Sequence, residues 1–339
     1  MHRNETIDIA KGISILLMTL SHFTISDTYE SISTFNSYLI IFKVPLFLFI
    51  SGYLFSFYPD LKAFIKHKTN GLLKPAIVLI VSLFLFYSAI KPSFRNEALE
   101  ALTTLKFKDF LLPMWFPISL YFGLVIFHII LSAWESHSKK KLLYAILALI
   151  GVFLANGFKI DYLYAYTYIY VVLFLAIGYT FKKHKSLLKD YLVNNSVIFL
   201  IILFSYGLLM YFKNTLNIRL NIVADIFGNT FFTLLSVACG IYLVFFISKH
   251  VLRRITPLKL VFVACGKASL FILCFHALIE PNLYKISRKF IPQSSYKLLV
   301  IADIANFVFT IGLCILIYIV AKRTPIINSV LFYKQKKPI

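Results

Sequence analysis

The chain has 339 residues, of which 60% are hydrophobic and 14% charged, and its mean hydropathy is +0.82. A soluble domain cannot bury that much apolar surface, so the composition excludes a soluble enzyme and indicates a polytopic membrane protein. The net charge of +21 invites a nucleic-acid interpretation, but the basic residues lie in short loops between apolar runs, where membrane topology explains them better. No nucleic-acid partner is predicted.

Ten apolar runs long enough to cross a bilayer follow one another along the chain. They cover approximately residues 7–27, 37–57, 72–90, 115–134, 141–158, 161–181, 191–212, 227–248, 258–280 and 297–321. We therefore predict an all-α, single integral-membrane domain over residues 1–339, with spans at about 7–321 and a short basic tail at 322–339. The four cysteines lie within apolar runs and show no metal or disulfide spacing, so they are interpreted as buried and no metal site is predicted.

The distribution of lysine and arginine predicts the orientation of these spans. With the N-terminus inside, 21 of the 35 basic residues lie in inner segments, 11 lie in outer loops and three lie within spans. The positive-inside rule then places both termini in the cytoplasm. The longest connections, at about 91–114, 213–226 and 281–296, all fall on the outer side.

The first predicted span contains Asp8, Lys11 and His22, three groups that are expensive in hydrocarbon. On a continuous helix these residues share one face, and Lys11 and His22 are about 16 Å apart along the axis. Such a stripe must face protein or a wet cavity. It indicates a site with Lys11 near the cytoplasmic surface and His22 deep towards the other.

Other polar residues are predicted at a depth similar to that of His22. Each also has a purely structural interpretation, such as an ion pair between Lys43 and Asp303, a packed His276 or an interfacial Glu280. The members of this predicted outer layer are His22, Lys43, His276, Glu280 and Asp303. His128, alone in the fourth span, is interpreted as a hydrogen-bonded packing residue, and Gly52 as a helix-packing residue.

Several segments, in chain order, resemble motifs of the acyltransferase-3 family of integral-membrane O-acyltransferases, especially its fucose O-acetylase-like branch. Lys11 and His22 resemble the family's motif of a basic residue, ten residues and a histidine, in which many members have arginine first. Residues 44–55 resemble its Pro-x-Phe-x-x-x-Ser-Gly-Tyr signature. The remaining resemblances are a basic segment around Lys66, Lys68 and 72–75, the Trp-Phe pair in 114–116, and the late segment 268–276 that ends in His276.

The resemblance implies a multi-pass bacterial inner-membrane enzyme that transfers an acyl group, most often acetyl, from cytoplasmic acetyl-CoA. The acceptor is a hydroxyl of a cell-envelope glycan or of its lipid-linked precursor, and acetyl-CoA acts as a substrate, with no bound cofactor. A sugar hydroxyl is a poor nucleophile, and the neutral imidazole of His22 suits the general base that it needs. Lys11 would hold a phosphate or the pantetheine region of CoA.

The same resemblance makes Lys43, Trp115, His276, Lys66 and Lys68 candidates for substrate binding. Lys66 and Lys68 could bind the nucleotide phosphates of CoA, although the positive-inside rule alone would also place lysines there. Trp115 could stack on a sugar or an acyl chain, but tryptophan is common at membrane interfaces. Lysine in place of arginine at Lys11, Lys66 and Lys68 keeps the charge and loses the bidentate fork.

A transporter or flippase for a glycan precursor is the alternative function, because intramembrane Lys, His and Asp also line transport pathways. Many transporters contain internal repeats with paired broken helices, and this sequence shows no such repeat. A histidine that is essential for acylation but not for export would distinguish the two functions.

Overall fold

The computed structural model describes residues 4–23, 29–90, 109–136, 138–184, 195–291 and 296–332, and nearly all of them are helical. The helices are α1 (Glu5–Leu20), α2 (Glu30–Tyr53), α3 (Leu61–Lys68), α4 (Lys74–Ile90), α5 (Trp115–Ser136), α6 (Lys139–Gly157), α7 (Tyr168–Lys183), α8 (Ser196–Tyr211), α9 (Thr230–Ile247), α10 (Thr256–Lys267), α11 (Ser269–Phe290), α12 (Tyr296–Arg323) and α13 (Pro325–Leu331). Shorter elements are 3-10 turns at Asp109–Met114 and Tyr162–Thr167, π turns at Thr69–Leu73 and Ser248–Leu252, and an antiparallel hairpin of Leu220–Asn221 with Ile226–Phe227.

This architecture is that of an all-α polytopic membrane protein, as the sequence predicted. Among the described residues, seven helical segments are long and apolar enough to span a membrane, and an eighth results if α10 and α11 are taken as one bent span. The seven are Ile32–Tyr53, Leu61–Leu85, Leu112–Ser136, Lys139–Gly157, Tyr162–Lys183, Thr230–Leu252 and Lys297–Arg323. Helices α1 and α8 have 16 residues each. At 1.5 Å per residue each is about 24 Å long, which is shorter than the thickness of the hydrocarbon core of a bilayer. The count of ten spans and the cytoplasmic termini stay predictions.

Three predicted spans differ in detail from the helices. Helix α1 ends at Leu20 instead of continuing to residue 27. The sixth predicted span begins with a 3-10 turn in which Leu163 and Tyr164 have φ of 53° and 56°, so its tyrosine-rich start is not α-helical. The ninth is divided at Ala268 by an 86° bend between α10 and α11. Within the predicted connections and tail, residues 91–108, 292–295 and 333–339 lie outside the described residues.

Several helices begin at capping residues that are visible in the sequence. The side chain of Asn4 accepts a hydrogen bond from the backbone N–H of Thr6, and Asp60 and Asn195 cap α3 and α8 in the same way. These side chains satisfy backbone donors that have no partner within the first turn of a helix. All four cysteines, Cys239, Cys265, Cys274 and Cys314, are buried, which confirms their interpretation as small apolar residues.

The chain divides into two compact units. The first contains Met1–Phe55 and Phe174–Ile315, and the second contains Ser56–Leu173 and Leu316–Ile339. One boundary lies between α2 and α3, and the other two fall within α7 and α12. The extent of one membrane domain over residues 1–339 stays a prediction.

In the first unit, helices approach one another at glycines. A Cβ on Gly12 of α1 would lie 2.0 Å from the carbonyl oxygen of Phe262, and one on Gly266 of α10 would lie 2.4 Å from that of Asp8. A Cβ on Gly52 of α2 would lie 2.1 Å from the carbonyl oxygen of Leu175. Only a residue without a side chain permits such backbone contact, so Gly12 and Gly52 determine how closely α1 and α2 pack against their neighbours.

In the second unit, His128 lies at the centre of an aromatic cluster. Its ring is fully buried, stacks on Phe64 with centroids 4.2 Å apart, and its Nε2 lies 2.8 Å from the carbonyl oxygen of Tyr58. Since a carbonyl oxygen only accepts, Nε2 is the donor. This confirms His128 as a hydrogen-bonded packing residue.

Candidate active site

The turn that follows α1 carries His22. The backbone N–H of His22 donates to the carbonyl oxygen of Thr19 at 2.8 Å, and the hydroxyl of Ser21 donates to the carbonyl oxygen of Met18 at 2.8 Å. Side-chain bonds of this kind compete with the helical ladder and favour its termination. His22 therefore extends from a turn, with its side chain exposed, and not from the helical face that the sequence predicted.

Lys43 of α2 contacts this turn directly. Its side chain is 6% exposed, and its ammonium group donates a hydrogen bond to the hydroxyl oxygen of Ser21, the residue before His22. The hydroxyl of Ser14 in turn donates to the backbone carbonyl oxygen of Lys43 at 2.7 Å. The backbone of Lys43 is thus bonded to α1, and its side chain is bonded to the turn that follows α1. The lysine nitrogen therefore lies beside the residue that precedes the candidate base.

His276 of α11 is the second histidine of the site. Its ring is 1% exposed, and its centroid lies 5.6 Å from that of His22, with the ring planes tilted by 50°. Its Nδ1 lies 2.7 Å from the carbonyl oxygen of Ile272 and must donate to it, so in the neutral ring Nε2 is the acceptor. That Nε2 is buried and has no hydrogen-bond partner among the described residues. An acceptor is thus held next to His22 with its lone pair unused.

Phe23 covers one side of His276. The two rings are nearly parallel, with an interplanar angle of 12° and centroids 6.4 Å apart. The other neighbour of Phe23 is Phe307 of α12, whose ring meets it edge-on at 4.7 Å between centroids. The residue after His22 is therefore packed between two helices, and this limits the positions that the turn can adopt.

Residues 24–28 lie outside the described residues. Directly after them, Tyr29 is bound by the buried carboxylate of Asp303. The hydroxyl of Tyr29 donates to Oδ2 of Asp303 at 2.9 Å, and Nη2 of Arg288 donates to the same oxygen at 2.6 Å. Burial raises the pKa of Tyr29, so the phenol keeps the proton that it donates. The alternative of an ion pair between Lys43 and Asp303 is wrong, because Asp303 binds Tyr29 and Arg288 while Lys43 binds Ser21.

Lys11 lies nearer the N-terminal end of α1 than the turn of His22 does, and it contacts α2. Its ammonium nitrogen is 5.2 Å from the ring centroid of Phe47, and its side chain is half-buried. From Lys11 to the end of α1 at Leu20 the helical rise is about 14 Å. Lys11 and His22 are thus separated along the axis of α1, and His22 lies beyond the helix; their depths in the membrane stay a prediction.

A family comparison covers nearly the whole chain. A family model, acyltransferase-3, described as an acyltransferase domain, matches residues 4–321. This chain belongs to the acyltransferase-3 family. No curated protein matches the acyltransferase, and neither does any solved structure. Its placement in the fucose O-acetylase-like branch stays a prediction.

Three predicted binding residues of this acyltransferase belong to the second unit. Trp115 is 6% exposed and packs edge-on against Phe116, with centroids 5.6 Å apart. Lys66 is exposed on α3, while Lys68 has its ammonium nitrogen 5.5 Å from the ring centroid of Phe64. Their roles in substrate binding stay predictions. Glu280, for which an interfacial position was the structural alternative, is buried at 3% exposure.

Residues that the sequence did not single out complete the surroundings of His22 in the acyltransferase. Ser21 and Phe23 could have been considered because they flank His22. Tyr29 and Arg288 gave no local signal, since their common partner Asp303 is 274 residues from Tyr29 and 15 from Arg288. Within the described ranges, no group of three or more His, Cys, Asp or Glu is arranged to hold a metal ion.

Proposed function

We propose that this protein transfers an acyl group, namely acetyl, from cytoplasmic acyl-CoA to a hydroxyl of a cell-envelope glycan or its lipid-linked precursor. The observation that supports this most strongly is the pairing of exposed His22 with buried His276, whose rings are 5.6 Å apart. The family supports an acyltransferase in general. The histidine pair supports the use of a general base on an acceptor hydroxyl.

In the proposed reaction His22 removes the proton from the acceptor hydroxyl while that oxygen attacks the thioester carbonyl carbon. The C–O bond forms, the C–S bond breaks, and the protonated His22 gives its proton to the departing CoA sulfur, so the products are the O-acyl ester and free CoA. Lys43, beside Ser21, stabilises negative charge that develops on the carbonyl oxygen. His276 accepts a hydrogen bond from the acceptor substrate and orients it towards His22.

Lys11 is the proposed contact for the phosphate or pantetheine part of CoA. This cation is about 14 Å along the helix axis from the C-terminal end of α1. The distance suits an extended pantetheine arm whose thioester reaches His22. Lys66 and Lys68 are the proposed contacts for the nucleotide phosphates, where lysine acts as a point charge.

The proposed location is the bacterial inner membrane, with both termini in the cytoplasm. A cysteine introduced at Ser136 should then be protected from an impermeant thiol reagent in intact cells, and one at Ser294, which lies outside the described residues, should be labelled. The four native cysteines are buried, so background labelling is expected to be low. The opposite pattern would invert the orientation.

The decisive experiment compares His22→Gln with His184→Gln, because His184 is an exposed histidine at the end of α7. Glutamine keeps a hydrogen-bonding side chain but cannot take a proton at neutral pH. We expect His22→Gln to lower the acylation rate by at least about a hundredfold at normal membrane abundance, and His184→Gln to leave it unchanged.

Mass spectrometry of the envelope glycan, with and without the protein, identifies the acylated product. A His22→Gln protein that still yields near-normal acylated glycan would disprove the general-base role. Loss of glycan export in the His22→Gln cells, with acylation of the remaining precursor intact, would favour the transporter.

A further inference from the structure

A groove of about 550 Å³ lies in the first unit between α2, α7 and α9. Its walls are apolar and largely aromatic, and they include Phe49, Tyr53, Phe174, Phe181, Val237 and Phe245. Ala238 also contributes to the wall and is exposed. This groove is separate from the surroundings of His22 described above, since none of the residues of that turn line it.

One end of the groove is positively charged. Lys249 and Arg253 line it there, together with Asn4. Arg253 is 3.2 Å and Lys259 is 3.5 Å from the carboxylate of Glu5. The hydrogen bond from Arg253, followed by the charge of Lys259, lowers the pKa of Glu5, so this carboxylate is ionised at neutral pH. Two of these cations, Lys249 and Arg253, line the groove itself.

We propose that this groove binds an anionic phospholipid of the surrounding bilayer, with an acyl chain along the aromatic wall and the phosphate at Lys249 and Arg253. An apolar channel that ends in cations matches an amphiphile with a negative head. Basic pockets between membrane helices bind anionic head groups through this combination of charge and apolar area. A neutral lipid would use the apolar wall but not the charges.

The position of the cations separates this lipid from the proposed reaction. Arg253 and Lys259 contact Glu5 at the first residue of α1, whereas His22 follows the last residue, Leu20. The rise from Glu5 to Leu20 is about 23 Å. A phosphate held at Lys249 and Arg253 therefore lies at the opposite end of α1 from His22, and the lipid is a bound partner and not the acyl acceptor.

The test measures lipid binding to the full-length protein in detergent by native mass spectrometry. The probes are dioleoyl phosphatidylglycerol, dioleoyl phosphatidylcholine and, as a head group without chains, glycerol 3-phosphate. The charge variant is Lys249→Gln/Arg253→Gln, matched by Lys322→Gln/Arg323→Gln at an exposed pair on α12. The groove variant is Ala238→Phe, matched by Ala305→Phe at an exposed position of α12.

We expect the charge variant to bind phosphatidylglycerol roughly tenfold or more weakly, because each cation near a membrane surface contributes to anionic lipid binding, while phosphatidylcholine binding is unchanged. Ala238→Phe should weaken both lipids, and neither matched control should weaken either one. Glycerol 3-phosphate should not displace the phospholipid.

Unchanged phosphatidylglycerol binding to Ala238→Phe would overturn the inference, as would equal losses in the two charge variants. If the charge variant fails to accumulate, Ala238→Phe tests the groove, because it leaves the contacts of Glu5 in place, and weaker binding of phosphatidylcholine than of phosphatidylglycerol to the natural protein tests the charge. Since the readout is binding, loss of the His22 reaction would not affect the result.

Discussion

The ring centroids of His22 and His276 lie 5.6 Å apart, although His22 follows α1, His276 lies within α11, and the two differ in exposure. The backbone bond to Ile272 determines which nitrogen of His276 carries the proton, so Nε2 remains as an acceptor. His22, on its exposed turn, is accessible to a substrate. One bound acceptor substrate can therefore donate one hydroxyl to His22 and a second hydroxyl to His276.

The role of His276 can be tested by two amides of different length. An asparagine side chain would keep a donor near the carbonyl of Ile272 and lose the acceptor at Nε2, whereas glutamine places its amide close to Nε2. We expect His276→Asn to lower kcat/KM for the acceptor about tenfold or more, the size of one lost hydrogen bond, and His276→Gln to retain more activity. Steady-state kinetics with varied acceptor measure this. Equal losses in both variants, together with lower membrane abundance, would indicate a packing role.

Lys11 is predicted to act on the donor. Lys11→Ala should raise the KM for acetyl-CoA by about tenfold or more, the range for a hydrogen bond to a charged group, and Lys11→Arg should keep a KM close to that of the natural protein. The measurement is initial rate against acetyl-CoA concentration at saturating acceptor. An unchanged donor KM with a lower kcat would contradict binding and leave an orienting role.

The carboxylate of Asp303 is predicted to stabilise the chain next to the site. Asp303→Asn leaves the Arg288 guanidinium, whose side chain is only 16% exposed, without its counter-charge and should lower the free energy of unfolding by about 3 kcal/mol. Tyr29→Phe removes one hydrogen bond and should cost about 1 kcal/mol. Thermal unfolding in detergent measures both.

A double-mutant cycle with Arg288→Gln provides the control for Asp303. The double variant should be less destabilised than the two single losses added together, because they share one interaction. Simple additivity would argue against the ion pair.

Gly52 is predicted to be intolerant of any side chain. A Cβ there would lie 2.1 Å from the backbone oxygen of Leu175, and backbone cannot rotate away as a side chain can. Gly52→Ala should therefore cost at least about 1–3 kcal/mol of stability. Gly207→Ala is the matched control, because a Cβ on Gly207 has no heavy atom within 4 Å, and alanine should be neutral or slightly stabilising in this helix. Comparable melting temperatures for the two variants would contradict the close contact.

The length and hydropathy of the apolar runs were enough to predict most of the helices, since a bilayer requires long helices with satisfied backbone groups. The end of α1 was not predictable in the same way. Ile15 to Phe23 continue the apolar pattern, and the helix ends at Leu20, where the hydroxyl of Ser21 bonds to Met18 and accepts from Lys43, a residue of another helix. The bend at Ala268 also had no marker in the hydropathy, because both arms are apolar.

The sequence by itself determined the class of protein and the acyltransferase-3 resemblance, and it made Lys11 and His22 the candidate site residues, because composition and charges within apolar runs are local properties. Only the tertiary structure decided which polar groups meet. His276 lies beside His22, Lys43 binds Ser21, and Asp303 binds Tyr29 and Arg288. These partners are far apart in the chain, and their contacts depend on how closely the helices approach. Glycines such as Gly12 determine that approach through backbone contacts, which no local pattern in the sequence reveals.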